Sequence, residues 1–293
     1  MENQTGEIKE MAHRGKILVV DMNPTWSKPT VEIAQGLFND KKSIEDFENL
    51  IVSKINSPAL IDDESSGSLR QSKESRLDLP NIDEVNGVVI TGSSFSAALL
   101  KRDLTKLGIE KDGKGIFLPY WQKDLVEYVK ELREKGKALL GVCFGGQEIT
   151  EALGGKVEMI EKDENGDRRK RVGYKRIYIT RGAEKDPLFK DLPESFVVIE
   201  NRDRDITKVP EGATVLAIGE DGNVEAYRVG KNIWGIVFHP EKTAEDAEKL
   251  LEKPENKGKF DPVEQEQLRP EFDQSIGQQI LQNFTKQVFI NSY

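Results

Sequence analysis

Two rhythms of apolar and polar residues run along this chain. Short unbroken apolar runs, bounded by glycine or charge, predict strands buried on both faces of a parallel sheet. Runs with apolar residues three and four apart predict helices lying over them. The strands of the first kind are Lys16-Ile17-Leu18-Val19-Val20-Asp21, Gly87-Val88-Val89-Ile90-Thr91 and Ala138-Leu139-Leu140. Among the helices, Thr30 caps one running to about Phe38, with Val31, Ile33, Ala34, Leu37 and Phe38 on one side. A second stretch covers roughly Ile44 to Ile51. Trp121 to Leu132 ends at Lys135-Gly136-Lys137, and Gln147 to Leu153 is closed by Gly154-Gly155. Ile276 to Phe289 closes the chain, offering Ile276, Ile280, Leu281, Phe284, Val288 and Phe289 to a core.

The second half is richer in strands. Lys156 to Thr180 reads as a β-ribbon turning at Glu164-Asn165-Gly166-Asp167, because Asn-Gly suits a tight hairpin. Phe196–Ile199, Thr214–Ile218, Asn223–Val229 and Trp234–Phe238 are further strands. Residues 1–15 form a polar tail, and Pro24 to Pro29 a turn. Residues 57–80 lack periodicity, and 252–271 are charged and Pro-bearing; both are expected to be surface excursions. No internal repeat and no boundary between two cores is visible. The expectation is one α/β domain over 16–293, with a mostly parallel central sheet, flanking helices and a β-ribbon.

Composition narrows the function. Apolar residues make up 37% of the 293 residues, enough for a sizeable core. The formal net charge of -9 argues against nucleic acid or an anionic membrane as partner, unless a local basic patch overrides it. The one basic cluster, Arg168, Arg169, Lys170 and Arg171, is flanked by Glu161, Asp163 and Glu164 and reads as a solvated ribbon. A single cysteine rules out an intramolecular disulfide and suits a reducing compartment. The N-terminal residues have no apolar signal core, and the cytoplasm is expected.

That cysteine carries the chemistry. In Gly141-Val142-Cys143-Phe144-Gly145-Gly146-Gln147, Cys143 falls between a buried strand and a helix, with glycines on both sides. This is the logic of a nucleophile elbow with sulfur in place of oxygen. The helix N-terminus beside the sulfur favours thiolate over thiol. A buried structural cysteine is the plainer alternative. A thiolate nucleophile needs a base, and the chain has two histidines: His13 in the polar tail and His239 after a strand, at the edge where Cys143 should emerge. Glu241, two residues on across Pro240, can hold the imidazole's tautomer and orientation. The N–H of Phe144 is the natural first oxyanion donor. Gly92 is the candidate second, and each such donor can be worth ~3 kcal/mol.

These segments resemble the class I glutamine amidotransferases. Gly141 to Gln147 matches their G-x-C-x-G-x-Q elbow, Phe238-His239-Pro240-Glu241 their His-Pro-Glu signature, and Ile90-Thr91-Gly92-Ser93 resembles their oxyanion strand. Weaker echoes lie at Pro119-Tyr120-Trp121, Asp186-Pro187-Leu188-Phe189, Pro210-Glu211-Gly212-Ala213 and Asn283-Phe284. The resemblance is to stand-alone members similar to the amidotransferase domain of GMP synthetase. It implies a seven-stranded-type, flavodoxin-like α/β fold and release of ammonia from glutamine through a γ-glutamyl thioester. It implies contacts to substrate from Gln147, Asn201 and Arg202, the last suited to a carboxylate. No cofactor and no metal are called for. Three positions depart from the common pattern: Gly146 stands where many members have histidine, Val237 where many have glutamine, and Asn201-Arg202 where many have Ser-His. Three functions are consistent with this: a glutaminase supplying ammonia to a separate synthetase subunit, a γ-glutamyl peptide or amine hydrolase, and a catalytically silent binding relative.

Overall fold

A computed structural model describes residues 16–22, 33, 50–54, 79–92, 120–161 and 169–290. Within them, in chain order, the strands are β1 (Ile17–Asp21), β2 (Leu50–Lys54), β3 (Gly87–Ile90), β4 (Ala138–Val142), β5 (Lys156–Met159), β6 (Arg171–Ile179), β7 (Ser195–Arg202), β8 (Arg204–Lys208), β9 (Ala213–Gly219), β10 (Val224–Val229) and β11 (Ile233–Ile236). The α-helices are α1 (Tyr120–Glu134), α2 (Phe144–Ala152), α3 (Ala244–Leu251), α4 (Pro262–Leu268) and α5 (Gln274–Ile290).

The unbroken apolar runs become the middle of one mixed sheet, in the order β2-β1-β3-β4-β11-β10-β9-β6-β7. From β2 to β11 every pairing is parallel; from β11 to β7 every pairing is antiparallel. Among the described residues the sheet thus has nine strands, where the resemblance implies seven. In the parallel half, alternate residues serve opposite faces, as the two-residue period of a strand demands. Leu18, Val88 and Leu139 pack with Leu125, Val129 and Leu132 of α1. Val19, Val89 and Leu140 pack with Ile280, Leu281, Phe284 and Val288 of α5. Each fully buried Leu, Val or Phe contributes roughly 1.5–3 kcal/mol. Among the described residues, no helix is long and apolar enough to cross a membrane.

Several local expectations change. Leu50 and Ile51 lie in a strand, not at the end of a helix. The ribbon over 156–180 does not close on itself. Lys156–Met159 instead pairs with Arg204–Lys208 in a separate two-stranded sheet, while Arg171–Ile179 enters the main sheet between β9 and β7. The physical reason is burial: Val172, Tyr174 and Ile177 form an apolar stretch that a free ribbon would leave in water. The segment 252–271 is built into the fold. Leu268 joins a cluster with Val172, Tyr174, Val197, Ile199, Ala247 and Leu250. Buried Gln265 donates to the Tyr174 carbonyl at 3.1 Å and accepts from the Tyr174 N–H at 2.7 Å. The polar tail, the turn over 24–29, nearly all of 57–80 and the Asn-Gly turn lie outside the described residues, as does the 30–38 helix apart from Ile33, which is helical and buried.

Candidate active site

The site is set by strand register. Ile236 of β11 stands beside Val142 of β4, and Ile90 of β3 beside Gly141. Parallel strands end on the same side, so the segments after β3, β4 and β11 emerge at one sheet edge. There Gly92, Cys143 and the His239 turn meet. A Cβ built on Gly92 would lie 3.1 Å from His239 Cε1 and 3.6 Å from Cys143 Cβ.

Cys143 has φ 51° and ψ -106°, in the left-handed half of backbone space that a side chain rarely adopts. Its N–H donates to the Ile236 carbonyl at 2.9 Å, and its carbonyl accepts from the Gln147 N–H at 3.1 Å, so the strained turn is held from both sides. The flanking glycines are a matter of space. A Cβ on Gly145 would collide with the Ile90 carbonyl, and one on Gly146 with the Ile236 carbonyl. Further along α2, Tyr227 donates to the Gly146 carbonyl at 3.1 Å and accepts from the Thr150 hydroxyl at 2.9 Å.

His239 is buried, and its Nδ1 lies 2.7 Å from Glu241 Oε1, an equally buried carboxylate. With Nδ1 committed, Nε2 is the nitrogen left for proton transfer; it is buried and closes no hydrogen bond of good geometry among the described residues. The electrostatics are those of an ion pair. Burial alone would push the Cys143 thiol up, but the charge and hydrogen-bonding capacity of His239, with the more distant Arg202, bring it below the ordinary thiol value. Burial alone would lower His239, but the Cys143 and Glu241 charges raise it to about 9. Burial would raise Glu241, and the His239 charge and hydrogen bond hold it below the usual carboxylate range.

Of the residues expected from sequence, Cys143, His239, Glu241 and Gly92 converge here, with Phe144 the first residue of α2. Gln147 is buried one turn on, with Nε2 3.5 Å from the Arg204 carbonyl. Asn201 is at the wall of the site: its carbonyl lies 4.0 Å from Cys143 Sγ, and its Oδ1 is buried with no hydrogen-bond partner among the described residues.

Arg202 does not take the part expected of it. It is the last residue of β7, and its guanidinium is consumed by protein carboxylates. Nη1 meets Glu200 at 2.6 Å and Glu225 at 3.1 Å, Nη2 meets Glu225 at 2.7 Å, and Nε meets Asp205 at 3.2 Å. With its side chain 1% exposed, it has no face to offer a substrate carboxylate. Glu200, Glu225, Thr150 and Tyr227 escape a sequence reading, because no local motif marks them and their partners are distant in the chain. Two members of the basic cluster also differ from expectation. Arg171 is ion-paired to Asp205 and Asp221 at 2.7 Å each, and Lys170 is half-buried, so neither belongs to a freely solvated ribbon.

Comparison with known proteins shows what the chain is similar to. The fold is that of the glutamine amidotransferases: a crystal structure of one from Thermotoga maritima superimposes with a TM-score of 0.61 at 18% identity, covering 94% of this chain and 99% of the other. Residues 113–254, a little under half of the chain, match the family model "Glutamine amidotransferase class-I". A GMP synthase [glutamine-hydrolyzing] of Porphyromonas gingivalis is 36% identical over 145 residues, 47% of this chain and 27% of that protein. Gamma-glutamyl peptidase 3 of Arabidopsis thaliana is 34% identical over 124 residues, 41% of this chain and 47% of that one. The chain therefore spans less than half the length of either curated relative.

Proposed function

We propose that the protein hydrolyses the γ-amide of glutamine, with Cys143 as nucleophile, and releases ammonia for use by a separate synthetase. The observation that carries this reading is the His239–Glu241 pair standing beside a strained, glycine-flanked Cys143. The Cys143 thiolate attacks the amide carbon, and the oxygen takes the developing charge, facing the Phe144 and Gly92 backbone. His239, already an imidazolium, gives its Nε2 proton to the departing nitrogen, and ammonia leaves a γ-glutamyl thioester. Neutral His239 then takes a proton from water, the hydroxide attacks the thioester, and glutamate departs as the thiolate re-forms. Glu241 keeps Nδ1 protonated throughout. In this reading Gln147 and the buried Oδ1 of Asn201, which has no hydrogen-bond partner among the described residues, receive the amino-acid end of the substrate.

A second reading keeps the same residues and thioester but exchanges ammonia for the amine of a γ-glutamyl peptide. It is favoured by the relative named as a γ-glutamyl peptidase. Ammonia release from glutamine, set against amine release from a panel of γ-glutamyl peptides, tests both. Turnover of glutamine alone supports the first, turnover of peptides alone supports the second, and loss of neither in Cys143→Ala overturns the pair.

A further inference from the structure

The basic cluster is a feature of the sequence that this chemistry leaves unused. Arg171 is committed to Asp205 and Asp221, but Lys170 closes no ion pair among the described residues. Its ammonium donates to Asn256 Oδ1 at 2.8 Å. Asn256 is fully buried and donates from Nδ2 to the Leu250 carbonyl at 2.7 Å, so it is a fixed anchor. An ammonium has three N–H donors, and this contact uses one.

The position of Lys170 is set by strand pairing. Arg171 stands opposite Arg202, so Lys170 lies one residue beyond that pair, at the end of β7 where the Asn201 carbonyl faces Cys143 Sγ. Arg202, whose charge acts on Cys143, is spent on Glu200, Glu225 and Asp205. A glutamyl group held by Sγ at its δ-carbon carries a free α-carboxylate at the other end of a short carbon chain. A cation near the nucleophile but not bonded to it suits such a group.

We propose that Lys170, held by Asn256, binds the free α-carboxylate of the glutamyl substrate. The proposal rests on the glutamyl reading given above. It assigns the carboxylate to a residue from the start of β6, anchored by the segment just after α3, rather than to β7 itself. The half-buried ammonium is pushed below the ordinary lysine value by burial, against the opposing pull of Asp203 and Glu255, while the Cys143 thiolate also acts on it. An arriving carboxylate restores what burial removes.

The single cysteine of the chain allows a test that needs no turnover. The chloroketone 2-amino-4-oxo-5-chloropentanoate and its decarboxylated counterpart alkylate the same sulfur and differ only in an α-carboxylate five bonds from it. Lys170→Met should lower the ratio of the carboxylated to the decarboxylated reagent's rate by about three- to tenfold, the scale of one ordinary hydrogen bond, and Lys170→Arg should keep most of it. In steady state, Lys170→Met should raise KM for the best glutamyl substrate with little change in kcat, and leave the decarboxylated analogue 4-aminobutanamide unaffected. An unchanged alkylation ratio, or equal losses on substrate and analogue, overturns the proposal. Wild-type protein inert toward every γ-glutamyl compound overturns the glutamyl reading instead, and the alkylation ratio then still decides whether Lys170 is a carboxylate-binding group.

Discussion

The backbone N–H of His239 donates to the carbonyl of Ile199 at 2.9 Å. In the order of the sheet these residues belong to distant places, since β10, β9 and β6 lie between β11 and β7. The bond means that the antiparallel half rolls round until its last strand reaches the tail of a central one. Strand twist accumulates in one direction, which is what carries β7 there. The parallel half supplies nucleophile and base, and the rolled half supplies the wall that faces the sulfur.

Cys143 should behave as a thiolate at neutral pH. Iodoacetamide labelling of the native protein should stay fast below pH 7.5, where a free thiol of pKa about 8.5 is mostly protonated. The physical cause is His239, whose charge outweighs burial. His239→Asn should therefore move the labelling profile above that of a free thiol, because burial is then left largely unopposed. A profile that does not move would separate the imidazole from the sulfur. Cys143→Ala should abolish turnover with the fold intact by circular dichroism.

The His239–Glu241 pair has a sign that pH can read. The folded pKa of His239 is raised to about 9 from an ordinary 6.5. Its contribution to stability is thus fully present below 6.5 and is lost as pH rises through about 9. Glu241→Gln removes one of the charges that raise it, so activity should fall, by less than in His239→Asn, and the alkaline limb of kcat/KM should shift to lower pH. His13→Ala should leave turnover unchanged.

Much of this is legible in the chain. Unbroken runs such as Val88-Val89-Ile90 can only be buried on both faces, and Cys143 and His239 sit where two such runs end. The hidden part depends on contacts distant in sequence. Nothing near Arg202 announces Glu225 as its partner, because they meet only when β7 and β10 are brought together by the rolled sheet. The stretch that becomes β6 looks like a hairpin arm because Asn-Gly is a local signal, whereas the pairing of Lys156–Met159 with Arg204–Lys208 is not. The polar look of 252–271 conceals Leu268 and the buried Gln265 and Asn256.

Gly146 is a sensitive point in the elbow. A Cβ there meets the carbonyl of Ile236, the same oxygen that accepts from the Cys143 N–H. Gly146→Ala should cost about 1–3 kcal/mol, the usual range for overpacking, and should lower kcat through displacement of the nucleophile. Denaturant melts together with kcat measure the two effects. A fully active, fully stable variant would show that the helix can shift away without moving Cys143.

Behind the site, Glu200 and Glu225 share one guanidinium, that of Arg202. One positive charge cannot neutralise two buried carboxylates, and burial, countered by Arg202 but reinforced by the Glu225 charge, pushes Glu200 up to about 8 from an ordinary 4.5. A carboxyl with a raised folded pKa binds its proton more tightly in the native state than in the unfolded one. Its stabilising contribution is complete below 4.5 and is lost as pH rises through about 8. Glu200→Gln mimics the protonated group, so it should change the melting temperature little near pH 5. Wild type should then fall increasingly below the variant towards pH 8. Arg202→Met is the opposite case: it strands two buried carboxylates and should cost about 3–5 kcal/mol. That loss should shrink when Glu200→Gln and Glu225→Gln are added. A melting-temperature difference between wild type and Glu200→Gln that stays constant from pH 5 to 8 would mean that Glu200 is ionised throughout.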